Sequence, residues 1–263
     1  MRESCGVFGV YAPSEDVARL TFFALFALQH RGQESAGIAT IDGKKLRVYA
    51  RMGLVSQVFS EDSLSQLTGD IAIGHNRYST RGSSRVINIQ PIVVGKGSNS
   101  IAIAHNGNIV NAEHLYQELS EQGYTFHTST DTEVIANLIL SSHEKDWVDK
   151  IRYATHRLQG AYSVVIMANH SLFGVRDPFG VRPLCLGAID SGWVIASESC
   201  ALDHIGASFI REIEPGEIVS ITENGVDSYR EEVGRRALCV FEYIYFARPD
   251  SVINGRLLYP ARQ

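Results

Sequence analysis

The residue best suited to chemistry in this 263-residue sequence is Cys5, in the opening stretch MRESCGVFGVYA. A free thiol titrates near 8.5, so only a few per cent is thiolate at neutral pH, and a nucleophilic cysteine needs a base beside it. No Cys–His signature of the papain or caspase kind is present. If the chain started at Cys5, however, the α-amino group of that residue would titrate at about 7.7–8.0 and suit proton transfer near neutrality. While residues 1–4 remain attached that nitrogen is an amide. Removal of a propeptide, Met1–Ser4, is therefore the expected switch.

A thiol attacking a carboxamide also needs donors for the developing oxyanion and groups that recognise the substrate. The stretch HNGN supplies Asn106 and Gly107, a side-chain amide next to a backbone N–H that can be closely approached. In GHNRYSTRGSS, the planar fork of Arg77 suits bidentate binding of a carboxylate. Asp131, near an expected helix start, suits an ammonium group. Each has a plainer reading: Asn-Gly as a turn, Asp131 as a first-turn residue favoured by the helix dipole, Arg77 as half of an ion pair. His75 and His105 read as hydrogen-bonded core residues, and Cys185 and Cys200 as small buried thiols.

The elements that must position these residues are legible from periodicity and punctuation. CGVFGVYA reads as a strand, followed by a helix over 16–29 capped by Ser14 and ended near His30, Arg31 and Gly32. SAGIATI and LRVYA flank Asp42-Gly43 as a hairpin. IAIGHNR (71–77) and IAIAHNG (101–107) both read as buried strands that run into His-Asn pairs. Helices follow: one capped by Asn111 and running to Gln122 with Gly123 as the C′ residue, one opening at a Thr130–Glu133 capping box, and a third over 147–158. After Gly160 short strands return, joined by turns, among them the one at DPFG. Strands, helices, then strands predict two antiparallel sheets packed together with helices on the outer faces, an α+β fold.

Composition narrows the class. A net charge of -5, with no cluster of Lys or Arg, predicts no nucleic-acid partner. No apolar run reaches the roughly 18 residues of a membrane span, and no secretory pattern opens the sequence, so no membrane partner and a cytoplasmic location are expected. Four widely spaced cysteines form neither a CxxC zinc pair nor a disulfide framework. The aromatic stretch RRALCVFEYIYFARPDS calls for covering surface, and it is read as the entry to a second domain.

Ten stretches in order, from CGVFGVYA, ALQHRGQESAGIAT, GLVSQVF and GHNRYSTRGSS through IAHNGNIVNA, STDTEVIANLI and GAYSVV to RDPFGVRPL, EPGEIV and CVFEYIYFARPDS, resemble the amino-terminal part of the amidophosphoribosyltransferase family. The resemblance implies an N-terminal-nucleophile (Ntn) hydrolase fold, a four-layer αββα sandwich. It implies a propeptide at 1–4, a class II glutaminase domain at 5–235, and at 236–263 the start of a truncated phosphoribosyltransferase domain. In that family's terms Cys5 is the nucleophile, Asn106 and Gly107 form the oxyanion hole, and Arg77 and Asp131 bind the α-carboxylate and α-amino group of glutamine. Arg31 and Gly32 lie in a loop near the same substrate. The implied reaction hydrolyses glutamine to glutamate and ammonia, which the complete enzyme uses to make phosphoribosylamine from phosphoribosyl pyrophosphate for purine synthesis. No cofactor is implied for the glutaminase part, and magnesium is implied for the complete enzyme. Cys239 stands where some members ligate an iron–sulfur cluster and where members without one also carry cysteine. A homo-oligomer subject to purine-nucleotide inhibition is implied as well. Arg81 departs from the small or neutral residue more usual there.

Three rivals make different predictions. A glucosamine-phosphate-forming amidotransferase shares HNG and TDTEV, but it usually carries Tyr-Arg-Gly-Tyr where this chain has QHRGQ. A non-catalytic partner domain would keep residues 1–4. An Ntn hydrolase acting on another amide would have no use for the pair Arg77 and Asp131.

Overall fold

In the computed structural model, which describes residues 5–43, 45–78, 85–231 and 236–263, the first strand, β1 (Gly6–Tyr11), already shows how the layers form. Val7 joins a core between two sheets, whereas Phe8 and Val10 join a core beneath helices. Strand side chains alternate between faces, so a strand apolar at nearly every position is covered on both sides.

The chain continues through α1 (Val17–Ala27), the hairpin β2 (Ser35–Asp42) and β3 (Lys45–Met52), the short helices α2 (Val55–Val58) and α3 (Glu61–Ser65), and β4 (Ile71–Arg77). Next come β5 (Ile92–Val94), β6 (Ile101–Ile109) and three helices, α4 (Ala112–Glu121), α5 (Asp131–Ser141) and α6 (Trp147–Thr155). The return to strands gives β7 (Gly160–Ala168), β8 (Ser171–Arg176), β9 (Cys185–Ile189) and β10 (Gly192–Ala196). After α7 (Ser199–His204) follow β11 (Ser208–Glu212), β12 (Glu217–Thr222) and β13 (Gly225–Arg230). A π-helical turn at Glu242–Phe246, a ribbon of β14 (Val252–Ile253) and β15 (Arg256–Leu257), and α8 (Leu258–Ala261) complete it.

One sheet has the order β11-β9-β10-β1-β4-β2-β3 and the other β13-β12-β8-β7-β6-β5, and the pairings are antiparallel. Val7, Ile71 and Ile73 of the first sheet meet Ala102, Ala104, Val165 and Met167 of the second. The outer faces are covered by α1, α2, α3 and α7 on one side and by α4, α5 and α6 on the other. The expected four-layer αββα sandwich of the Ntn class is the fold of this chain. Among the described residues no helix is long and apolar enough to cross a membrane.

Several local expectations are corrected. Asp16, not Ser14, caps α1, accepting from the Arg19 amide at 3.0 Å. The Thr130–Glu133 box does not form: the Thr130 side chain makes no cap bond, and Glu133 accepts from the amides of His127 and Thr128 in the preceding loop. Asn111 starts α4 without capping it, because its side-chain amide bridges Arg157 O and Gln159 N at the end of α6. The edge strands β5 and β11 had no clear alternation to announce them, one being three residues long and the other exposed over 208–210.

Candidate active site

Antiparallel register gathers the chemistry at one end of both sheets. Gly6 of β1 pairs with Asn76 of β4, which sets Cys5 at the level of Arg77, the last residue of β4. In the facing sheet, β6 carries Asn106 and Gly107 opposite Ser163 and Tyr162 of β7. The small Ala102 and Ala104 on the inner face of β6 let the sheets approach there.

Cys5 is half-buried, and its nitrogen donates to Asn106 Oδ1 at 3.2 Å. That bond fixes the amide: an N–H must face the oxygen, so Asn106 Nδ2 points elsewhere. Asn106 is buried, and Nδ2 has no hydrogen-bond partner among the described residues. A buried amide donor left without a partner costs roughly 1–3 kcal/mol, and such groups in folded proteins call for a functional account. Gly107 is sterically required. A β-carbon there would lie 2.1 Å from Ala161 O and 2.9 Å from His105 Nε2.

The thiol of Cys5 donates to Tyr78 O at 3.6 Å. Burial raises its pKa above the ordinary cysteine range, against the lowering effects of the Tyr78 hydrogen bond and of Arg77, Arg182 and Arg31. Burial thus favours the neutral thiol over the thiolate. Arg77 is buried and pairs with Glu34 at 2.9 Å. Asp131, at the start of α5, is tied to β6, its Oδ2 accepting from the Ile109 amide at 2.9 Å.

Arg31 and Gly32, expected to contact substrate, stand next to Cys5 and to Asn76 and Arg77. Arg31 is 1% exposed; its Nε donates to Cys5 O at 3.0 Å, and the rest of its guanidinium is engaged by Glu198 and Glu242. Burial alone would depress its pKa, but the two carboxylates overcome that and raise it. The side chain thus supports the backbone of Cys5 from a buried position. Gly32 allows close packing, since a β-carbon would fall 2.6 Å from the backbone of Asn76, next to Arg77.

The sequence reading missed several residues that build this end. Glu198 is a buried hub that accepts from His30, Arg31, Ser251 and the Arg248 amide. Asp177, in the DPFG turn, accepts from the amides of Phe179, Val181 and Arg182 and from that of Tyr162, the register partner of Gly107. Charged residues within otherwise apolar stretches (SESC, FEY, RDPFG) were the available signal, but buried ion pairing is invisible until the partners meet. Glu242 also shows that the 236–263 segment packs onto the sandwich through Arg31, around a small cluster of its own formed by Ala247, Ile253 and Leu258.

Cys239 is half-buried three residues before Glu242. Cys185 and Cys200 are enclosed in the core beneath the helices, and among the described residues no group of three or more His, Cys, Asp or Glu is placed to hold a metal. The described residues do not make up the four-ligand set that a cluster needs. The expected propeptide at 1–4 and the departure at Arg81 lie outside the described residues.

Comparison with known proteins bears on the chain as a whole. A family model described as a glutamine amidotransferase domain matches residues 75–204. Amidophosphoribosyltransferases from Synechocystis and Methanocaldococcus jannaschii are 52% and 46% identical over 99% and 98% of this chain, which covers 54% and 59% of their lengths. The solved glutamine phosphoribosylpyrophosphate amidotransferase of B. subtilis, complexed with ADP and GMP, superposes with a TM-score of 0.92 at 43% identity over 98% of this chain and 56% of its own. A structure described as the allosteric regulatory enzyme of purine biosynthesis gives 0.93 at 45%, with the same coverage. The chain spans about half the length of the curated relatives it matches. Over nearly its whole length the chain is thus similar to amidophosphoribosyltransferases, and it carries a match to a glutamine amidotransferase domain.

Proposed function

We propose that Cys5 hydrolyses glutamine, with Asn106 Nδ2 and the Gly107 N–H as the oxyanion hole, and that the ammonia serves phosphoribosylamine formation from phosphoribosyl pyrophosphate in the complete protein. The observation that carries the reading is the buried Asn106 amide, whose Oδ1 accepts from the Cys5 nitrogen and whose Nδ2 is left without a partner among the described residues. In this reading the bond between residues 4 and 5 is cut and the freed amine takes the thiol proton. The sulfur adds to the side-chain carbonyl carbon, and the carbonyl electrons move onto oxygen, facing Asn106 and Gly107. Collapse breaks the C–N bond, the nitrogen leaving as ammonia with the proton held by the amine. Water then opens the thioester, giving glutamate and restoring the thiol.

Arg77 is assigned the α-carboxylate and Asp131 the α-ammonium, while Arg31 holds the Cys5 carbonyl. Residues 5–235 form the glutaminase domain, and 236–263 begin a transferase domain. Magnesium and oligomeric assembly belong to the complete enzyme. Intact mass spectrometry combined with a glutaminase assay on wild type and Cys5→Ala tests the reading. Wild type lacking residues 1–4 should release ammonia, and the variant should not. Normal hydrolysis by protein that retains Met1–Ser4 would refute the amine as base.

A further inference from the structure

One buried residue near the site, His105, has been given no role above. Strand alternation turns it away from Asn106, toward the helical layer that Ile101 and Ile103 also face. It is 2% exposed. Its Nδ1 lies 3.5 Å from Asp131 Oδ1 and 3.3 Å from Thr132 Oγ1. Its backbone is held from two directions: its amide donates to Gln90 Oε1 at 2.8 Å, and its carbonyl accepts from His75 Nε2 at 3.0 Å, a bond that joins the two sheets. Gln90 Nε2 in turn donates to Thr132 Oγ1 at 3.0 Å. The other ring nitrogen, Nε2, is buried without a partner among the described residues and lies under Gly107.

We propose that His105 is a positioning residue for amino-acid recognition. A carboxylate oxygen can only accept, so the proposal assigns the ring proton to Nδ1, where it faces Thr132 Oγ1 at 3.3 Å and the Asp131 carboxylate at 3.5 Å. The Ile109 amide holds the other carboxylate oxygen, and together the two fix the orientation of Asp131 toward an α-ammonium group. The same ring forms the floor under Gly107, so substrate recognition and oxyanion stabilisation share one rigid support. The inference rests on the assignment of Asp131 to the α-ammonium.

The test compares His105→Asn with His105→Gln in the full chain, with Asp131→Ala as control. An Asn amide nitrogen falls near the position of Nδ1, whereas Gln reaches beyond it. The expected result is a glutamine KM within about threefold of wild type for Asn and raised about tenfold or more for Gln, with kcat changed less than KM, as for loss of a hydrogen bond to a charged group. Equal KM values for the two variants, or a fall in kcat without a rise in KM, would overturn the proposal, provided thermal unfolding shows both folded. Should either fail to fold, the same comparison is made with Thr132→Val, which removes the hydroxyl that Nδ1 and Gln90 share; an unchanged KM there also overturns it. An unchanged KM in Asp131→Ala removes the underlying assignment, whereas a raised KM there with none in His105→Gln removes only the role of His105.

Discussion

Replacing Asn106 by Ala separates catalysis from stability in a way the geometry makes quantitative. The variant loses Nδ2, a buried side-chain donor without a partner among the described residues, and it loses the acceptor for the Cys5 nitrogen at 3.2 Å. Removing an oxyanion donor costs about 10²–10³ in kcat, or about 2.7–4 kcal/mol. Deleting an unsatisfied buried donor returns roughly 1–3 kcal/mol of stability, while the lost hydrogen bond costs about 0.5–1.5 kcal/mol, so the two offset. With roughly 2–4 °C per kcal/mol for a domain of this size, the unfolding midpoint should move by only a few degrees. The assay is steady-state ammonia release at saturating glutamine, set beside a thermal melt. Asn106→Asp should be worse than Ala, because it places acceptors, and a charge, where the oxyanion forms. A fall in kcat of less than tenfold would refute the oxyanion role. So would a fall fully accounted for by unfolding, or activity in the Asp variant above that of Ala.

Arg77→Lys should raise the glutamine KM by about tenfold or more, since a point charge replaces a planar fork, and an unchanged KM would remove Arg77 from the carboxylate role. Glu198→Ala leaves the Arg31 guanidinium with Glu242 as its remaining carboxylate and strips Ser251 and His30 of theirs; a buried-charge loss of about 3–5 kcal/mol should appear as a lower denaturation midpoint. Gly107→Ala should abolish turnover, because its β-carbon meets the Ala161 carbonyl at 2.1 Å and the strand must shift. Burial lowers the pKa of His75 to about 3. The unfolded chain therefore binds a proton that the folded one refuses between pH about 6.5 and about 3, so this contribution to stability is complete above about 6.5 and is lost as pH falls through that window. His75→Gln should flatten the fall in denaturation midpoint over that range, and an unchanged slope would show that His75 is not the group responsible.

Much of the fold could be read in advance because its layers follow simple periods. IAIA in β6 sends isoleucines to the helices and alanines to the facing sheet, and the hairpin at Asp42-Gly43 is marked by its turn pair. Caps were read less well, since Asp16, Glu133 and Asn111 are claimed by whichever amide or carbonyl the packed chain brings nearest. The candidate site divides in the same way. Residue types and ordered motifs were enough to single out Cys5, Asn106, Gly107, Arg77 and Asp131, because the chemistry demands a nucleophile, paired donors and complementary charges.

What the linear order could not contain is the set of contacts between distant positions. Arg31 carries the same charge whether it meets a substrate or the buried pair Glu198 and Glu242, which lie 167 and 211 residues away; only packing decides, and it turns the guanidinium to the Cys5 carbonyl. His105 likewise reads as a core histidine until α5 sets Asp131 and Thr132 against its ring. The sequence determined which groups are available and which faces are apolar, because these depend on side-chain type and local period. The tertiary structure decided which groups meet, and so which of them are left with a buried donor and no partner, because that depends on register and sheet packing across the whole chain.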